Sequence, residues 1–179
     1  MDADIGWLYH IPNINDAEFG ITGYDLFCKD RSSNNRGGGV LLYVVNKLEA
    51  VEWKPQSQFL EQVWCKLRVQ ANDDLLVGVC YRTANKEIFG DIAEKHLNEL
   101  TEELHGKHVM FMGDFNYPDI DWSSLHSQSK NGQSFLDSVE DCFLTQHVQD
   151  STRSDSMLDL IFTDEPNMTD KVDIMGKLG

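Results

Sequence analysis

Two residues near the middle of the chain have the types and spacing for hydrolytic chemistry: Asp114 and Asn116, in Gly113-Asp114-Phe115-Asn116. They follow Val109-Met110-Phe111-Met112, a short apolar run of the kind a buried central strand shows. Strand side chains alternate between faces, so residues two apart at a strand's end point to one side. Asp114 can accept a proton or orient a water, and Asn116 can donate to a phosphate oxygen and accept from a water. The C-terminal edge of an α/β sheet is where such folds place their chemistry. Alone, an Asp-x-Asn reads more simply as the polar turn that ends a strand, because Gly, Asp, Asn and Pro favour turns.

Two further groups stand out. Asp159 lies inside the strand-like run Met157 to Thr163. A charge inside a buried strand costs on the order of several kcal/mol unless paired, so Asp159 needs a partner. Local backbone N–H groups are the plain alternative to a functional one. Tyr81 ends the run Leu75 to Tyr81 and opens Tyr81-Arg82-Thr83-Ala84-Asn85. A packed amphipathic tyrosine is the structural alternative there.

GDFN followed by Tyr117-Pro118-Asp119-Ile120-Asp121-Trp122 resembles the signature of the endonuclease/exonuclease/phosphatase family. In particular it is similar to the endonuclease domain that precedes reverse transcriptase in non-LTR retrotransposons. The resemblance covers nearly all of the chain. RGGGV at 36–40 fits it, and so does Ser156 to Phe162, against a family Ser-x-Leu-Asp-Leu-Ile-Phe string. The YRTAN string stands where the family often has a Tyr-Arg-Ser-Pro-Asn-like one. The resemblance implies one domain over 1–179, a four-layer α/β sandwich with two central mixed sheets and helices outside, incomplete at both termini.

The implied chemistry is Mg²⁺-assisted hydrolysis of a phosphodiester in DNA. By resemblance Asp114 positions the water, Asn116 holds it and the phosphate, and Tyr81 donates to the phosphate. Asn85 or Arg82 contacts substrate. Asp159 orients a histidine from a later Ser-Asp-His string. The family's metal glutamate falls at Ile5, and the spacing favours none of Asp2, Asp4 or Glu18 in its place. The Ser-Asp-His string is not found before Gly179. The metal ligands are thus left unknown, and weak Mg²⁺ binding with little nuclease activity is expected. A catalytically silent remnant or interaction domain is the alternative, and a reverse transcriptase domain in a longer parent the expected companion. RGGGV and YPDIDW argue against a phosphatase or sphingomyelinase branch.

Composition sets bounds. A chain of 179 residues can bury a sizeable core. The net charge is −15, from 15 basic and 30 acidic residues. This opposes unaided nucleic-acid binding, which draws its affinity from Lys and Arg on phosphates, so a local basic groove or a divalent cation is required. No apolar run approaches the ~20 residues of a membrane span, and no secretory leader opens the chain. An intracellular setting, nuclear or cytoplasmic, with no membrane partner is expected, and the sequon at Asn167 is idle there. Cys28, Cys65, Cys80 and Cys142 form no C-x-x-C pair, and Cys65 and Cys80 read as buried small hydrophobes. His96, His105 and His108 lack ligand spacing and read as surface residues. SSNNRGGG lacks the phosphate-loop pattern, and Pro118 and Asp119 break a calcium-loop pattern.

The elements that must position these groups follow from periodicity. Strands are expected at Val40–Val45, Ala50–Lys54, Gln62–Val69 and Leu75–Tyr81, as one antiparallel meander. Amphipathic helices are expected at Lys86–His105, with Ile88, Ile92, Leu97, Leu100 and Leu104 inward, and at Gln133–His147, with Phe135, Leu136, Val139 and Phe143 inward. Gly106 is the expected cap of the first helix.

Overall fold

The computed structural model describes residues 5–9 (backbone only), 20–30, 39–71, 73–84, 90–153 and 156–173. Three strands, β1 (Ile5–Tyr9), β2 (Tyr24–Asp30) and β3 (Gly39–Val45), form one sheet in the order β1-β3-β2, all antiparallel. A second sheet has six strands: β4 (Val51–Glu52), β5 (Gln62–Gln70), β6 (Asp73–Tyr81), β7 (Val109–Asp114), β10 (Thr145–Gln146) and β11 (Asp159–Thr163). Their order is β10-β11-β7-β6-β5-β4. β6 and β7 run parallel and the other pairs antiparallel, so this sheet is mixed. α1 (Asp91–Glu103) supplies the crossover between the parallel strands, as a parallel pair requires. A small hairpin, β8 (Ile120–Asp121) with β9 (His126–Ser127), precedes α2 (Lys130–Asp141).

The alternation of each central strand divides its residues between two cores. Val40, Leu42 and Val44 of β3 meet Val63, Cys65, Leu67, Val77, Val79 and Met112 between the two sheets. The opposite face of the large sheet carries Trp64, Cys80, Val109, Phe111, Leu160 and Phe162. Against these pack Leu97 and Leu100 of α1 and Phe135, Leu136 and Val139 of α2. Leu41 and Tyr43, on the outer face of β3, are also buried, so that face of the small sheet is covered too. This is the layered α/β sandwich expected from the sequence. Among the described residues, the mixed character belongs to the larger sheet and both α-helices lie on its outer face.

One row of this sheet depends on a missing side chain. Trp64, Gly78 and Phe111 are register neighbours on β5, β6 and β7. The Trp64 ring lies over Gly78 and stacks on Phe111 at 5.5 Å between centroids. A Cβ on Gly78 would stand 2.2 Å from the indole, so the glycine is the space in which the two aromatics meet.

Several expectations are corrected. The four-strand meander divides: β3 belongs to the small sheet and only β4, β5 and β6 follow one another in the large one. Every residue of β3 from Gly39 to Val44 is buried, as suits a central strand flanked on both edges and covered on both faces. β4 has only two residues. The first helix is described from Asp91; Ile88 lies outside the described residues, and Ile92 is 72% exposed rather than inward. Gly106 does take a positive φ, +70°, just past the helix, which suits a C-terminal glycine. The second helix starts earlier and stops earlier than its apolar period suggests. Ser129 caps it by accepting from Gly132 N–H at 3.0 Å, which fixes the start. Phe143, with φ +57°, lies past the helix and is 77% exposed. All four cysteines are free thiols, and burial pushes Cys65 up to about 12. Among the described residues, no helix is long and apolar enough to cross a membrane.

Candidate active site

Tyr81, Asp114 and Asp159 converge at one end of the large sheet. In the parallel ladder Tyr81 is the register partner of Asp114, and in the antiparallel ladder Asp114 is the partner of Asp159. Three side chains from three adjacent strands thus form one transverse row. Met110, Met112 and Ile161, of the same strand parity, pack into the core between the sheets, as does Tyr81 itself. The row therefore stands on the face that looks toward the small sheet.

Gly113 makes the placement of Asp114 possible. Its φ is +146°, and a Cβ there would sit 1.8 Å from the Cys80 carbonyl oxygen. Only glycine fits so close to the neighbouring strand. Beyond it the chain is pinned from both sides. Arg82 N–H donates to the Asp114 carbonyl at 2.8 Å, and Phe115 N–H donates to the Leu158 carbonyl at 2.8 Å. Phe115 is fully buried against Phe111, Phe135 and Phe162. Asn116 then turns with φ +49°, a region asparagine tolerates better than most residues.

Asp114 is only 2% exposed. Asn116 N–H donates to its Oδ1 at 3.1 Å, and Arg153 Nη2 lies 3.6 Å from its Oδ2. Burial, and then the charge of Asp159, raise the Asp114 carboxyl to about 6, against the opposing pull of Arg153 and Asn116. A carboxyl held near 6 can exchange a proton at ordinary pH. Asp159 is half-buried at the first position of β11, rather than mid-strand. Thr152 Oγ1 accepts from the N–H groups of both Leu158 and Asp159, at 3.0 and 3.1 Å, and fixes this strand start.

Arg82, expected as a substrate contact, is engaged inside the fold. Its Nε donates to Glu94 Oε1 at 3.0 Å, and its Nη1 donates to the carbonyls of Phe115 and Asn116 at 3.3 and 2.9 Å. The guanidinium also lies 3.9 Å from the centre of the Tyr117 ring, and its side chain is 11% exposed. Such a commitment inside the fold makes Arg82 a positioning residue for the Asn116 turn. Asn116 Nδ2 answers by donating to the Arg82 carbonyl at 2.7 Å. Asn85 lies outside the described residues.

Sequence reasoning missed four contributors. Glu94 is buried on α1 between Arg82 and Tyr117, whose hydroxyl donates to it. Its signal was a charge three residues before Leu97, on the apolar stripe of the helix. Tyr117 stacks on Phe135 at 4.9 Å. Asp119 accepts from Ser129 N–H at 2.9 Å and ties the Pro118 turn to the start of α2. Arg153 sits in a polar turn closed by a bridge to Ser156, and nothing in the local pattern marks it. Among the described residues, His147 and His108 stand elsewhere. His147 bonds Thr163 at 2.6 Å and His108 bonds Asp164 at 3.2 Å, both at the other end of the strands. Ile5 pairs with Val44 at the start of β1.

A mixed sheet and an antiparallel sheet face to face, with an acidic row at one end, define an α/β sandwich of the endonuclease/exonuclease/phosphatase type. Solved structures agree on this fold. The "Endonuclease domain of TRAS1, a telomere-specific non-LTR retrotransposon" superposes with a TM-score of 0.58 at 15% identity, covering 81% of this chain and 67% of that one. ANGEL2, described as a 2',3'-cyclic phosphatase, gives 0.51 at 16%, covering 90% and 69%. Comparison with curated proteins gives no match. The family model described as "Endonuclease-reverse transcriptase" matches residues 75–177, more than half of the chain, and the protein belongs to that family.

Proposed function

We propose that the protein hydrolyses phosphodiester bonds in DNA with the help of a divalent cation, Mg²⁺ by family expectation. The observation that supports this reading best is the Tyr81–Asp114–Asp159 row at one sheet end. Two adjacent carboxylates, one held near 6 partly by the other's charge, are the donor set a hard cation favours, since it takes oxygen ligands and relieves like-charge repulsion. Asp114 and Asp159 would hold the ion, with waters completing its shell. The cation supplies Lewis-acid polarisation of the phosphate and partly offsets the chain's acidity toward a polyanion.

The chain's own groups do the rest. Asp114 orients the attacking water or takes its proton. Asn116 is held through its backbone N–H by Asp114, and its carboxamide is fixed by donating from Nδ2 to the Arg82 carbonyl. Tyr81, beside Asp114, donates to the phosphate as charge develops on it. The test is conversion of supercoiled plasmid to nicked circles in Mg²⁺. Slow, EDTA-sensitive nicking that Asp114→Ala removes is expected. A reverse transcriptase domain in a longer parent chain is the companion this reading favours.

A second reading, a silent domain that keeps the fold for binding, draws on one observation. The guanidinium of Arg153 already lies 3.6 Å from Asp114, where it supplies a positive charge that competes with a cation. Plasmid left intact by the wild-type chain and by Arg153→Ala alike would favour it.

A further inference from the structure

At the end of the large sheet remote from Asp114, one imidazole and two carboxylates come together. His108 precedes β7, and Asp164 and Glu165 follow β11. One ligand atom from each lies within 4.8 Å of the other two. Five strand steps, roughly 16–17 Å, separate Val109 at this end from Asp114 at the other. We propose that His108, Asp164 and Glu165 form a second cation site, independent of the phosphodiester site, that takes a borderline transition metal of the Zn²⁺ class.

The donors suit that class. One imidazole nitrogen and two carboxylate oxygens, with water in the fourth position, match a tetrahedral zinc better than Mg²⁺, which favours all-oxygen octahedra. Two ligands about 2.0 Å from a tetrahedral zinc stand about 3.3 Å apart. His108 Nδ1 and Asp164 Oδ2 are 3.2 Å apart, which is the length of one edge of that tetrahedron. Glu165 is exposed, so its carboxylate can rotate inward to close the set.

The frame around these donors is already fixed. The other oxygen of Asp164, Oδ1, accepts from Val109 N–H at 2.7 Å, the kind of outer bond that orients a ligating carboxylate. The His108 carbonyl accepts from Leu76 N–H at 2.9 Å. The Glu165 carbonyl accepts from Met168 N–H at 3.1 Å and Thr163 Oγ1 at 2.7 Å. The backbones of His108 and Glu165 and the carboxylate of Asp164 are thus held before any ion arrives, and ordering costs little. An ion here clasps the start of β7 to the segment leaving β11.

Calorimetric titration of the EDTA-treated chain with ZnCl₂, alongside Co²⁺ absorption and thermal melts, tests the proposal. One tight Zn²⁺ per chain, apart from any weaker ion on the Asp114–Asp159 pair, is expected, with tetrahedral Co²⁺ bands and a Tm rise of about 5–10 °C at a hundredfold excess over Kd. His108→Ala should abolish binding. Glu165→Ala, an exposed position that leaves the fold intact, should weaken it at least ~10-fold. Asp114→Ala should leave it unchanged. Absence of stoichiometric Zn²⁺ would overturn the proposal and leave an ordinary His–Asp hydrogen bond. Binding that survives both His108→Ala and Glu165→Ala, or that disappears with Asp114→Ala, would overturn it as well.

Discussion

Asp114 and Asp159 stand directly opposite one another across the β7–β11 ladder. Each was legible in the sequence as a candidate, yet they lie 45 positions apart in the chain. The pairing has a cost that can be measured. Asp114 is raised from 3.8 to about 6, by burial first and by Asp159 second. Asp159→Asn should therefore lower the Asp114 midpoint, read by carboxyl carbon NMR across a pH titration. A midpoint unchanged by that substitution would mean that the two carboxylates do not sense each other.

The same shift predicts a pH-dependent stability. The folded state holds the Asp114 proton more tightly than the unfolded chain does. Its favourable contribution is therefore complete below about 4 and is lost as pH rises through about 6. The full move corresponds to roughly 2–3 kcal/mol. Asp114→Asn keeps the oxygen that accepts from Asn116 N–H and removes the buried charge. In metal-free buffer it should raise Tm at pH 7 by about 5–10 °C and leave it nearly unchanged at pH 4. Equal shifts at both pH values would place the effect in packing instead.

Arg153 opposes that rise in Asp114. Arg153→Ala should move the Asp114 midpoint upward and, by removing a competing positive charge, tighten Mg²⁺ binding. Paired titrations of wild type and variant check both directions. Weaker Mg²⁺ binding in the variant would show that Arg153 supports the cation rather than competing with it.

Buried Glu94 links α1 to the site through Arg82 and Tyr117. Removing one partner of such a pair leaves the other charge uncompensated, at about 3–5 kcal/mol. Glu94→Ala should lower the denaturation midpoint by that amount and loosen the Asn116 turn that Arg82 holds. A loss under about 1 kcal/mol, within the range of exposed pairs, would show that solvent screens the pair.

Legibility in the sequence followed the range of the interactions. The apolar run ending in Gly113-Asp114 marks both strand and site, because alternation and a glycine-dependent turn are local properties. The helix stripes were legible in their centres, at Leu97 and Leu136, but not at their ends. There Ser129 and the positive φ of Phe143 decide the boundary. The assignment of β3 to the small sheet was not legible, since a buried strand has the same composition in either sheet. Arg82 carried a family role as a substrate contact, yet its partner Glu94 lies twelve residues away on a helix. The charge of Arg153 reaches Asp114 only after β11 has folded beside β7.

The most direct measurement is single-turnover nicking of supercoiled plasmid in Mg²⁺ by the wild-type chain, Asp114→Ala, Asp159→Ala and the double variant. Residues that act as one unit lose activity together, so their losses do not add. The expected result is slow nicking by the wild type, lowered at least ~10²-fold by either single substitution, with little further loss in the double variant. Nicking that persists in both single variants, or no Mg²⁺-dependent nicking by the wild-type chain, would contradict the assignment of phosphodiester hydrolysis to the Asp114–Asp159 pair.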